Sequence, residues 1–345
     1  QDRDQIMYYR EDKKGQILQE GINEAGAMSA WMAAATSYSH HDYPLIPFYI
    51  FYSMFGYQRV GDLCWAAGDM RARGFLLGGT SGRTTLNGEG LQHQDGHSLV
   101  LHNVVPNCLT YDPAFSYEVA VIIQDGMRRM YEENQNIHYY ITLLNENYHH
   151  PAMPKGAEEG IIQGMYQLES LSVPGKAKAK TPRVQLLGSG AILNEVRAAA
   201  ELLRDDYKVG SDVWSVTSFG ELARNGNHIA RWNRLHPDEK PKTSWVHDSL
   251  VKAVGPVVAS TDYIRLQADQ IRSFVPANYH VLGTDGFGRS DTRDQLRSFF
   301  EVDRYHVAVT ALNALAEEGE VDKEQVLDAM RRYNIDRNKP NPAFS

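Results

Sequence analysis

Cysteine is scarce: Cys64 and Cys108 are the only two in 345 residues. They stand far apart in apolar settings, which leaves no disulfide framework and no paired spacing for a zinc site, and fits a reducing, cytoplasmic setting. No run approaches the ~20 apolar residues that span a bilayer. The opening Gln1-Asp2-Arg3-Asp4 has none of the features of a signal peptide. A basic excess is missing too. The net charge is −8 with signs interspersed, so there is no cationic stripe for nucleic acid or a membrane surface, and small molecules or proteins are the expected partners. No Walker-type lysine loop occurs. The glycine-bearing strand-to-helix turn Gly188-Ser189-Gly190 has Leu193 where a dinucleotide site needs its third glycine. A tight turn explains it without a ligand.

What is present is enough apolar material, 42% hydrophobic and 10% aromatic, for a large core and roughly two domains. Short apolar runs alternate with helical patterns, the rhythm of parallel sheets wrapped by helices, so the expected class is α/β. In the first half, strands are predicted at Pro47–Tyr52, Gly74–Leu77, Cys108–Tyr111 and His138–Leu144, with helices over 57–73 and 114–132. Their aromatic and β-branched content predicts burial on both faces of every strand. Residues 166–182, with Ser, Pro, Gly and alternating Lys176, Lys178 and Lys180, read as a linker between units at 1–165 and 183–345. The second unit restarts with a strand at Val184, a helix through Val196 and Leu203, a strand at Asp212–Val216, and helical patterns over 219–235, 262–272, 305–318 and 322–333.

One carboxylate is unusually placed. Glu24 lies in Gly21-Ile22-Asn23-Glu24-Ala25-Gly26-Ala27-Met28, at the start of a helix whose apolar stripe is Ala25, Met28, Trp31, Met32 and Ala35. A carboxylate packed among small apolar neighbours loses water, which favours its protonated form and suits it to proton chemistry. The alternative is a first-turn acid that only complements the helix dipole. Between Gly78 and Ser98 six glycines interrupt polar residues over a length that suggests a functional loop. Within it, His93 and His97 stand four apart among acids. The flanking Gly90 and Gly96 argue against the helix that would turn both imidazoles to one metal, and favour a loop aiming one histidine into a cleft. The pairs His40-His41 and His149-His150 read as surface features. Tyr52 and Phe55 sit where a strand turns into a helix and could face a planar ligand, with core packing as the plain alternative.

These fragments resemble the thiamine diphosphate enzymes of the transketolase type, and most closely the homodimeric pyruvate dehydrogenase components of bacterial complexes. The resemblance rests on QEGINEAG (19–26), on the long stretch PFYIFYSMFGYQRVGDLCWAAGDMRARGFLLGGTSGRTTLNGEGLQHQDGH (47–97), on TLLNENYHHPAMP (142–154) and on LGTDGFGRSDTR (282–293). It implies two transketolase-like units, each a mostly parallel sheet flanked by helices: a domain at 1–165 that holds the cofactor's aminopyrimidine ring, and a C-terminal domain from 183 to 345. It makes Glu24 the acid that bonds a pyrimidine nitrogen and promotes the imino tautomer. It also makes Phe55 the ring that stacks on the pyrimidine, Tyr52 the residue near its amino group, Ile22 the apolar wedge that bends the cofactor, and His93 the histidine facing the substrate carboxylate. Glu89 corresponds to a loop acid that relays protons or orders the loop.

The implied reaction is oxidative decarboxylation of pyruvate with reductive acetylation of the lipoyl group of a dihydrolipoyl acetyltransferase, in a homodimer. A transketolase, a dehydrogenase for another 2-oxo acid, and a non-catalytic dimerisation fragment are the alternatives. One departure stands out. The family holds magnesium and the cofactor diphosphate on a Gly-Asp-Gly motif in a separate N-terminal domain. Neither Asp285-Gly286 nor Asp62 supplies that motif here. The chain is therefore expected to be the C-terminal portion of a longer polypeptide, inactive by itself.

Overall fold

The computed structural model describes residues 12–175 and 181–345. The opening tetrapeptide and the alternating lysines at 176–180 lie outside the described residues. Two parallel-rich sheets, each wrapped by helices, make up the molecule. The first contains α1 (Glu24–Ala35), α2 (Ser37–His40), β1 (Phe48–Tyr52), α3 (Gly56–Asp69), β2 (Phe75–Gly79), α4 (Ser98–His102), β3 (Cys108–Tyr111), α5 (Ser116–Met127), β4 (His138–Thr142) and α6 (Glu158–Gln163). Its four strands run parallel in the order β1-β2-β4-β3. The second contains β5 (Tyr166–Leu171), β6 (Arg183–Gly188), α7 (Ile192–Tyr207), β7 (Gly210–Ser215), α8 (Phe219–Leu235), α9 (Trp245–Leu250), β8 (Val257–Ser260), α10 (Leu266–Asp269), β9 (Tyr279–Leu282), α11 (Arg293–Phe299), α12 (Arg304–Glu317) and α13 (Lys323–Arg332). Its strand order is β5-β7-β6-β8-β9, with β5 antiparallel and the rest parallel.

The alternation of side chains along each strand divides the first core in two. Phe75, Leu77, Tyr139 and Tyr111 pack on one face, and Leu76, Tyr140 and Cys108 on the other. Every residue of β3 and β4 is buried, as the sequence predicts for a strand covered on both sides. β1 breaks that expectation. It lies at the sheet edge, so Phe48, Tyr52 and, at 67% exposure, Ile50 face solvent. The stretch read as a linker is also different: Tyr166–Leu171 pairs with β7 as the outer strand of the second sheet. Its polar residues suit an edge, which is why composition alone resembles a linker. The helix expected over 262–272 is shorter, reduced to α10 followed by a 3-10 turn at Arg272–Phe274.

Buried polar contacts weld the two units together. Asp112 N donates to Thr217 O (2.7 Å), and Ser218 Oγ to Thr110 O (2.5 Å). Glu118 accepts from Tyr166 OH (2.7 Å) and Ser215 Oγ (2.6 Å). Burial pushes the Glu118 carboxyl up, while these donors pull it back. The Gly188-Ser189-Gly190 turn is part of this seam. Gly190 has φ +51°, and a Cβ there would lie 2.8 Å from Asp112 Oδ2. The tight-turn reading thus has a physical reason: the glycine admits a buried carboxylate from the other unit.

Candidate active site

The site forms where β1 ends and α3 begins, beside the start of α1. Asn23 caps α1 by accepting the Gly26 amide on Oδ1 (3.1 Å), which places Glu24 in the first turn. Met28, Trp31, Met32 and Ala35 are buried beneath it as the stripe predicts, whereas Ala25 is exposed. Glu24 itself is not the dry carboxyl expected from its small neighbours. Its side chain keeps 19% exposure and accepts a 2.6 Å hydrogen bond from Arg59 Nη1 of α3. Small residues around an acid leave room as readily as they pack, and α3 brings a cation into that room.

The Arg59 guanidinium also lies over the Phe55 ring, 4.2 Å from its centroid. Phe55 meets His93 edge-on at 5.0 Å, and the Tyr52 ring is 5.5 Å from the same imidazole. Residues separated by more than sixty positions thus form one continuous wall from Glu24 through Arg59, Phe55 and His93 to Tyr52. Neither Tyr52 nor Phe55 belongs to the core. On the inner side of Glu24, burial and then the Glu24 charge push the Tyr49 phenol up to about 12, so it remains a neutral donor. An open groove of about 670 Å³ runs beside the wall, between Ala25 and the α3 residues Tyr57, Arg59 and Trp65.

The glycine loop is ordered rather than slack. Asp262, between β8 and α10, takes hydrogen bonds on Oδ1 from Thr84 N (2.8 Å) and Thr84 Oγ1 (2.6 Å), and on Oδ2 from Thr85 N (3.0 Å) and Thr85 Oγ1 (2.5 Å). Burial pushes the Asp262 carboxyl up, and these donors oppose the shift. Beyond this latch the chain forms a 3-10 turn, Leu91–His93. The His93 Nδ1–H donates to Glu89 O (3.1 Å), so the neutral ring carries its free lone pair on Nε2. His97 points elsewhere, its Nε2 on Gln58 Oε1 (2.9 Å).

Among the residues singled out in the sequence, the structure brings Glu24, Tyr52, Phe55 and His93 together. Ile22 is 98% exposed just ahead of α1, and the Glu89 side chain faces solvent, so neither joins the wall within this chain. The pairs His40-His41 and His149-His150 lie at the surface. Arg59 and Asp262 were not identified from the sequence. No local pattern points to Asp262, which lies 177 residues beyond Thr85. Among the described residues, no group of three or more His, Cys, Asp or Glu side chains could hold a metal ion.

Residues 1–151 match the family described as "Pyruvate dehydrogenase E1 component middle domain", and residues 164–303 match "Transketolase-like TK C-terminal domain". The chain is 64% identical over 342 residues to the "Pyruvate dehydrogenase E1 component" of Pseudomonas aeruginosa, covering 99% of this chain and 38% of the relative. It is 62% identical over 347 residues to that of Escherichia coli K12, covering 100% of this chain and again 38% of the relative. It therefore spans 38% of the length of these curated relatives. A solved structure described as "Split gene transketolase, inactive beta4 tetramer" superposes with TM-score 0.60 at 15% identity, covering 86% of this chain and 83% of that one. That likeness shows a transketolase-like α/β fold. On the sequence matches, the chain belongs to the family of pyruvate dehydrogenase E1 components.

Proposed function

We propose that this chain forms the wall that receives the aminopyrimidine ring of thiamine diphosphate in an enzyme that oxidatively decarboxylates pyruvate. The observation that carries the reading is the position of Arg59. A flat, nitrogen-bearing cation lies on the face of Phe55 and donates to Glu24 Oε1. A pyrimidine with a protonated ring nitrogen needs the same two partners, a stacking face and a carboxylate oxygen, so the guanidinium marks where such a ring fits. The cofactor, once bound, supplies the carbanion and the electron sink. Glu24 Oε1 holds or yields the proton on the ring nitrogen. Phe55 fixes the ring plane, Tyr52 borders its edge, and His93 presents Nε2 toward the substrate side.

In the same reading, residues 1–165 form the pyrimidine domain and 183–345 the C-terminal domain. Ile22 and Glu89, exposed here, become covered when the rest of the enzyme and a second subunit close the groove. Magnesium and the cofactor diphosphate are held outside this chain. The lipoyl group of a dihydrolipoyl acetyltransferase receives the acetyl unit, and the homodimer works in the cytoplasm. No helix among the described residues is long and apolar enough to cross a membrane.

The test is Glu24→Gln in the full-length enzyme. Carbon dioxide release from pyruvate should fall by at least about a hundredfold, the range of a lost acid/base group. Calorimetric binding of thiamine diphosphate should be retained. Turnover within a factor of two of the parent would refute the role of Glu24, and absent cofactor binding by the unmodified full-length enzyme would refute the whole reading.

A further inference from the structure

We propose that Gln94 is a positioning residue, through which the C-terminal unit sets the orientation of the His93 ring. The turn that carries His93 is weak by itself, closed by His93 N on Gly90 O and Gln94 N on Leu91 O, both at 3.2 Å. Its firm attachment is the Gln94 side chain, which is 2% exposed. Gln94 Nε2 donates to Leu86 O (3.0 Å), just past the Thr84-Thr85 latch, and Gln94 Oε1 accepts the backbone amide of Arg289 (2.8 Å). One amide therefore ties Leu86 and the turn that carries His93 to the LGTDGFGRSD segment of the second unit.

That segment is shaped for the contact. A Cβ on Gly288 would fall 2.4 Å from Leu91 O and 2.7 Å from Gln94 Oε1, so only glycine lets the segment lie this close to the turn. Thr284 anchors its near end, with Oγ1 donating to Asp262 O (2.9 Å) and N to Tyr263 O (2.8 Å). Asp262 is the residue that latches Thr84 and Thr85. A closed circuit results, from Asp262 through Thr284, Gly288 and Gln94 back to Leu86 and the latch. The His93 ring stands on this circuit, one residue from Gln94, against Phe55 and Tyr52. This strut accounts for Gly288 without a ligand.

This inference rests on the proposed role of His93 toward the 2-oxo acid. The test uses the full-length enzyme with Gln94→Met, which keeps the volume and deletes both hydrogen bonds, and Gly288→Ala, which pushes on the turn from the other unit. For Met and Ala, kcat/KM for pyruvate should fall about tenfold or more, carried mainly by KM, as expected for a side chain misplaced by a fraction of an ångström. Thiamine diphosphate affinity should stay within about twofold, and amide exchange of the 87–97 peptide should rise about tenfold.

Equal kcat/KM in the parent, Gln94→Met and Gly288→Ala would overturn the inference, as would unchanged amide exchange of the 87–97 peptide in both variants. If His93→Ala proves kinetically silent, the functional reading of His93 fails. The exchange measurement then still decides whether Gln94 holds the turn.

Discussion

Replacing Asp112 by Asn should stabilise the protein near neutral pH and change how its stability depends on pH. Asp112 follows β3 at the seam between the units. Its Oδ1 accepts from Thr142 Oγ1 (2.7 Å), and its Oδ2 has no hydrogen-bond partner. Burial pushes this carboxyl up to about 7, against the pull of Thr142 and its other donors. A group whose folded value is raised above the unfolded 3.8 contributes stability that is fully present below pH 3.8 and is lost as pH rises through about 7. A shift of this size corresponds to at most about 4 kcal/mol, at ~1.4 kcal/mol per unit. Asn keeps the acceptor for Thr142 and is neutral at every pH. The variant should therefore match the parent near pH 4 and exceed it by roughly 2–4 kcal/mol at pH 8. Urea unfolding of the chain followed by tryptophan fluorescence, read as the difference between variant and parent across that range, measures this directly. A difference that does not grow with pH, or a variant less stable than the parent at pH 8, would refute the reasoning.

Burial holds two histidines neutral, His102 at about 4 and His138 at about 3, against an ordinary 6.5. Both resist charging in the fold, so stability should fall as pH drops below 6.5. His138→Phe, which removes two unbonded ring nitrogens, should reduce that fall by up to about 1.4 kcal/mol per pH unit in the same urea series. Asp262→Asn cannot accept on both sides from the Thr84 and Thr85 donors, and should cost about 2–4 kcal/mol. It should also open the 80–97 loop to limited proteolysis. Intact resistance of that loop would show that the latch is dispensable.

Much of this architecture is legible in the residues themselves. The apolar runs at β2, β3 and β4, buried on both faces, the amphipathic periods of α7 and α8, and the stripe beneath Glu24 are local patterns. β1 is misread because an apolar run looks the same at a sheet edge as in its centre, and neighbours decide which it is. β5 is misread for the converse reason, since a polar edge strand has the composition of a linker. The buried strand β8 and the edge strand β9 are short enough that a few apolar residues cannot be told from a connection.

Sequence by itself determined the class of fold and the helix start that carries Glu24, and it singled out Tyr52, Phe55 and His93 as candidates. All of these depend on patterns within about a dozen positions. Tertiary structure decided that Arg59 pairs with Glu24 and covers Phe55, that Asp262 latches a loop 177 residues away, and that Gln94 meets Arg289 across the seam. Those contacts depend on how two sheets dock. Docking is set by the summed packing of side chains remote in sequence, and no local pattern records it.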